Sequence, residues 1–206
     1  MMDFSALIME TMFTVSGALL YPVVILLLIF VVWALAAIGQ FISEYSGRTR
    51  DPRRLRNGCL QTRALIEARS CSEAAETLAA AGSNPLLESF IGDLTAFLGD
   101  DRFLIESEKL LQDYELRIAA ELERLKILVR TAPMLGLMGT LIPLGPALMG
   151  LSAGNVETLA SNLVVAFSTT VLGLFAGGIA YAIMLTKRRW YLQDLSDMEY
   201  VARMVA

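Results

Sequence analysis

Four polar side chains stand where a membrane interior would punish them. Thr140, Thr169, Thr170 and Asn162 fall inside residues 131–186, a stretch with no Lys, Arg or Asp and only one Glu, Glu157. A hydroxyl or amide at mid-membrane depth needs a hydrogen-bond partner or water. Neutral oxygens of this kind replace hydration around an ion or solvate a carboxylate that arrives from a partner, and that is the chemistry they offer. The plain alternative is packing, with each hydroxyl turned back onto its own helix.

The elements that must position these groups are membrane helices. Residues 131–151 and 159–185 are apolar runs joined by a short polar break, so they read as a transmembrane hairpin. Each is long enough for a hydrocarbon core of about 30 Å. On the first helix Gly136, Thr140, Pro143, Ala147 and Gly150 share one side. On the second Asn162, Ala166, Thr169, Gly173, Gly177 and Ala180 do the same, and Gly173 with Gly177 is a GxxxG pair. Small residues let membrane helices approach closely.

A first membrane helix is expected over 18–42, preceded by residues 1–17, which carry Asp3 and Glu10 and no cation and could lie on the membrane as an amphipathic helix. The remaining spans are 131–152 and 158–185, leaving 43–130 and a tail at 186–206. Thirteen of the seventeen basic residues lie in 43–130 and four in the tail, so three crossings put every cation on one side. The positive-inside rule makes that side the cytoplasm, with the N-terminus outside and the C-terminus inside. The fold class is therefore all-α and integral to the membrane, with three transmembrane helices and a helical cytoplasmic insert.

Within the insert, Ser70 and Glu73 have capping-box spacing, and Asn84–Pro85 reads as a cap and first helical position. From Phe103 to Leu128 apolar residues recur at helical spacing without a breaker before Thr131, predicting one continuous rod into the second span. The stripe on that rod calls for cover from another subunit. The basic patch at Arg48–Arg56 reads as juxtamembrane, facing anionic lipid rather than nucleic acid. Cys59 and Cys71 match no metal or redox spacing. Neither a P-loop nor a GxSxG, HExxH or paired-carboxylate constellation is present, so no enzyme, metal or cofactor is expected.

Three helices, the large insert, and a hairpin reading APMLGLMGTL then FSTTVLGLFAG resemble the MotA/TolQ/ExbB proton-channel family, and the three-helix plan is similar to its TolQ/ExbB branch. The resemblance implies a homopentamer in the cytoplasmic (inner) membrane around a single-span dimer of the MotB/TolR/ExbD type, whose membrane Asp carries the ion. It makes Thr140 and Thr170 pore-lining, with Thr169 and Asn162 beside them, and Gly136, Gly139, Pro143, Ala166, Gly173 and Gly177 the packing and rotor interface. One departure stands out: the branch carries a Glu five residues before the third-helix threonine, and here that residue is Val165. The moving ion is H⁺ or Na⁺. The Thr169–Thr170 pair is similar to sodium-driven relatives, with Thr169 expected to face the partner. A non-conducting scaffold would need the same stripes without the threonines. A small secondary transporter would show repeats and broken helices, for which Pro143 and Pro146 are the candidates.

Overall fold

A computed structural model describes residues 4–48, 51–68, 70–82, 84–99 and 102–205. Among them every regular element is an α-helix: α1 (Phe4–Ala18), α2 (Leu20–Gly47), α3 (Pro52–Glu67), α4 (Cys71–Ala79), α5 (Pro85–Thr95), α6 (Phe103–Ser152) and α7 (Val156–Val205). Three helices are long and apolar enough to cross a membrane, spanning Phe4–Gly47, Phe103–Ser152 and Val156–Val205. The chain divides into two units, and α2, α6 and α7 contribute to both.

The first unit holds the residues up to Gly39 together with Arg124–Met184. Its centre is small: Ala34, Leu128, Ala132, Ala176 and Ala180 form one buried cluster, and Val23, Leu27 and Leu135 another. Alanine at four of these positions lets backbones approach where lipid provides no hydrophobic drive. The Leu, Ile, Val and Phe side chains between them stay largely exposed, as a lipid-facing surface requires. Helix α1 is exposed along its length, with Phe4, Ile8, Met9, Met12 and Phe13 on one half of its surface and Glu10 and Thr14 on the other.

The hairpin turn follows from one glycine. Gly154 takes φ 72°, the left-handed conformation that favours Gly. Its N–H donates to the Leu151 carbonyl at 3.0 Å, and the Asn155 N–H donates to Gly150 at 2.8 Å. That pattern is a Schellman stop. Asn155 then caps α7, its side chain accepting from the Thr158 N–H at 3.0 Å. The prolines do not break α6. Pro133, Pro143 and Pro146 all lie inside a continuous helix, which weighs against the broken-helix transporter.

The second unit, Gln40–Glu123 with Leu185–Ala206, has a larger core built from Leu55, Leu78, Leu87, Phe90, Ile91, Leu94, Tyr114, Met198 and Val201. Phe90 and Tyr114 meet edge to face at 5.4 Å, and the Tyr114 hydroxyl donates to Asp93 at 2.7 Å. Asn84 caps α5 as its position predicts, accepting from the Leu87 N–H at 2.9 Å ahead of Pro85. Ser70 occupies the N-cap of α4, but its side chain makes no capping bond. Arg50 and Arg69, read above as cytoplasmic cations, and the Cys71 side chain lie outside the described residues.

Two expectations change here. Residues 186–205 form the second half of α7 rather than a loose tail, and Met198, Val201, Ala202 and Val205 are buried in this core. Phe103 and Tyr114 of the α6 stripe are buried in the same core, with Leu110 and Leu111 packed against it. Much of the stripe therefore finds its cover within the chain. What stays uncovered is another line of α6, where Ile105 and Leu116 are 71% and 68% exposed.

Candidate functional site

The small-residue stripes of α6 and α7 face each other within one chain. A Cβ on Gly173 would lie 2.7 Å from the Ala132 carbonyl oxygen and 2.9 Å from the Gly136 Cα, so only glycine permits this approach. A Cβ on Gly177 would strike the Pro133 ring at 2.7 Å, and one on Gly150 would meet Thr158 at 3.0 Å. Gly139 forms a notch filled by the Thr169 side chain, 2.6 Å from where a Cβ would stand. Pro143, Ala147 and Ala166 are buried along the same seam. Gly136, Gly139, Gly173 and Gly177 thus pack the hairpin against itself.

The threonines separate into two classes. Thr169 is 4% exposed and inside the seam, so it does not present the open, partner-facing surface expected of it. Its hydroxyl donates to the Ala166 carbonyl at 2.9 Å, with Val165 at 3.1 Å. Thr140 and Thr170 are half-buried at the edge of the seam. Because the Gly139 notch receives Thr169, the two neighbouring residues, Thr140 and Thr170, stand within about 3 Å of one level, each one residue onward on antiparallel helices. They also share a side. Ile142 and Leu172 pack against the cluster that Val23 and Leu27 of α2 form with Leu135. At about 100° per residue, a threonine two positions away points about 160° from that direction. Thr140 and Thr170 therefore flank the hairpin groove on the side remote from α2.

Each hydroxyl is already committed as a donor. Thr140 donates to the Leu137 carbonyl at 2.7 Å and Thr170 to Ala166 at 3.2 Å, while the Asn162 amide donates to Thr158 at 2.8 Å. A hydroxyl that gives its proton to its own helix keeps two lone pairs. It accepts from a protonated carboxyl or ligates a cation as it stands, but must rotate to donate to a carboxylate. Asn162 is half-buried on the packing stripe, and Val165, in the position of the absent glutamate, is 39% exposed.

The second unit holds a polar cluster that sequence reading missed. Arg48 donates to Asp194 at 2.5 Å and to the Trp190 carbonyl at 3.1 Å, and Asn84 donates to the same carboxylate at 3.0 Å. Asp194 is wholly buried, and its Oδ2 makes no hydrogen bond. Burial pushes its carboxyl above the usual range, while the Arg48 guanidinium and the Asn84 amide pull it back. Alongside, Lys187 pairs with Glu44 at 2.6 Å, with the Tyr191 hydroxyl 3.4 Å from the ammonium. Phe41 stacks on Trp190 at 5.3 Å, and Tyr45 lies 6.0 Å from the same ring. The available signal was spacing: Lys187, Tyr191, Asp194 and Met198 recur at steps of four, three and four, the buried face of a helix. Arg48, read from sequence as lipid-facing, is instead spent on Asp194.

Comparison with known proteins bears on this arrangement directly. Residues 100–199, which include the whole hairpin and both threonines, match the model of the MotA/TolQ/ExbB proton channel family. The chain belongs to that family. No curated protein matches it. As a MotA/TolQ/ExbB member with three membrane-length helices, it is an inner-membrane protein and a subunit of an ion-driven channel or motor. The family is one of channels and motors rather than of enzymes, and its members work in complexes with ExbD/TolR-like partners.

Proposed function

We propose that this chain is the ring-forming subunit of a TolQ/ExbB-like motor, five copies of which surround a single-span partner dimer carrying a membrane Asp. The observation that carries this reading is the level pair Thr140 and Thr170, on the hairpin face that α2 leaves open. The described spans bring no ionisable side chain to that level, so the carrier must come from the partner. The threonine lone pairs solvate the protonated carboxyl as it passes, or a cation in its place. One charge moved through 100 mV yields about 2.3 kcal/mol, enough to bias a rotation step. With Thr169 turned inward, the argument for sodium loses its extra oxygen, and the reading favours H⁺.

Ring formation rests on Ile105 and Leu116, exposed apolar residues eleven apart and so about 20° from one line on α6. In this reading the C-terminal half of α7 lies in the cytoplasm and the N-terminus outside, supported by the segregation of the cations. The test is reconstitution with the partner in vesicles under an imposed proton gradient. Thr140→Val with Thr170→Val keeps shape and assembly but loses the ion flux. Full flux in that variant returns the chain to the scaffold reading. Ile105→Asp with Leu116→Asp leaves the fold intact and breaks the ring by native mass spectrometry.

A further inference from the structure

At the level where α7 leaves the apolar stretch, the cations divide. Lys187 and Arg48 turn inward to Glu44 and Asp194. Arg188 and Arg189 are exposed, and among the described residues neither has an ion-pair partner. They line a shallow groove of about 500 Å³ with Leu185, Leu192, Gln193 and Ser196. Leu185 and Leu192 are 55% and 61% exposed. The adjoining Trp190, stacked with Phe41 and near Tyr45, is the kind of aromatic group that marks a membrane–water boundary.

We infer that this α7 groove binds the phosphate of an anionic phospholipid. Leu185, on the membrane side, takes the start of an acyl chain. One turn further on, two guanidinium groups meet the phosphodiester, which accepts hydrogen bonds from their planar donor forks. Gln193 and Ser196 follow on the side of water and suit the hydroxyls of a glycerol headgroup. Charge complementarity selects the ligand: the groove offers two positive charges and no carboxylate, so a zwitterionic lipid, whose ammonium would meet the same arginines, is disfavoured. The sequence placed lipid at Arg48–Arg56, but the ion pair to Asp194 removes Arg48 from that role, whereas Arg188 and Arg189 on α7 stay exposed. The site rests on the α7 residues that follow the third span and is independent of which ion the assembly moves.

The measurement is lipid retention. The detergent-purified chain is equilibrated with equal amounts of phosphatidylglycerol and phosphatidylcholine, and the bound lipid is counted by native mass spectrometry. The wild-type chain retains phosphatidylglycerol preferentially. Arg188→Gln with Arg189→Gln lowers that preference about thirtyfold, at about fivefold for each basic residue near the surface. Arg188→Lys with Arg189→Lys preserves most of it, and Arg53→Gln with Arg54→Gln, on α3, leaves it unchanged. Excess inorganic phosphate fails to displace the lipid, because it lacks the acyl contact with Leu185. An unchanged preference in the double glutamine variant, an equal loss in the α3 variant, or full displacement by phosphate each overturns the assignment.

Discussion

Gly136 and Gly173 meet backbone to backbone, with a Cβ on Gly173 placed 2.9 Å from the Gly136 Cα. The contact fixes the register of the hairpin and with it the level of the threonines. Gly173→Ala must push the helices apart, at a cost of about 1–3 kcal/mol for overpacking. Gly178 lies five residues on, with nothing within 4 Å of its Cβ position. Gly178→Ala gains up to about 1 kcal/mol of helix propensity. Thermal unfolding in detergent should move the two variants in opposite directions, and equal behaviour would show that the close approach does not set hairpin stability.

The Arg48–Asp194 pair should behave as a buried ion pair. Asp194 is 0% exposed and Arg48 11%. Losing either partner strands the other, at a cost of about 3–5 kcal/mol. Arg48→Met and Asp194→Leu together leave no stranded charge, so the double variant should be more stable than either single one. A double-mutant cycle on unfolding midpoints checks this. Additive losses would mean that the two groups do not interact.

Lys187 gives the charged unit an alkaline limit. Burial opposes its charge, but the Glu44 carboxylate and the Tyr191 side chain outweigh that and hold the ammonium above its ordinary 10.5. A folded value above the unfolded one means a contribution complete below pH 10.5 and lost as pH rises through the folded value. Wild-type stability should therefore fall more steeply above pH 10.5 than that of Lys187→Met. Parallel pH profiles would remove the Lys187–Glu44 pair from the account.

Cys59 should be inert. It is buried, and desolvation raises its thiol to about 11. At pH 8 only about one thiol in a thousand is then ionised, and the thiolate is the reactive form. In a Cys71→Ser background, N-ethylmaleimide should label the folded chain far more slowly than the denatured one. Rapid labelling of the folded chain would place Cys59 at the surface.

Much of this architecture was legible because long apolar runs and segregated cations constrain a membrane chain so strongly. The continuous α6 rod, the Asn84 cap and the packing stripes could all be read from residue order. The missing parts depend on tertiary contact. Residues 186–206 are too polar in composition to announce a core face, so nothing in residue order marks Met198 and Val201 as cover for the α6 stripe. Thr169 and Thr170 are neighbours in sequence, yet about 100° of helical rotation puts one in the Gly139 notch and the other on the open face. Only the Gly136–Gly173 contact, which sets that rotation, distinguishes them. Asp194 escaped notice because its partners, Arg48 and Asn84, lie more than a hundred residues away.

That rotation is the central claim, and cysteine accessibility measures it most directly. In a chain with both native cysteines replaced, Thr140→Cys, Thr169→Cys and Thr170→Cys are exposed separately to a small charged methanethiosulfonate reagent in assembled membranes. A hydrated path along the open face predicts labelling at Thr140→Cys and Thr170→Cys and protection at Thr169→Cys, where the side chain fills the Gly139 notch. Labelling at Thr169→Cys with protection at Thr170→Cys would contradict the account, for the ion path would then run along the face assigned here to packing.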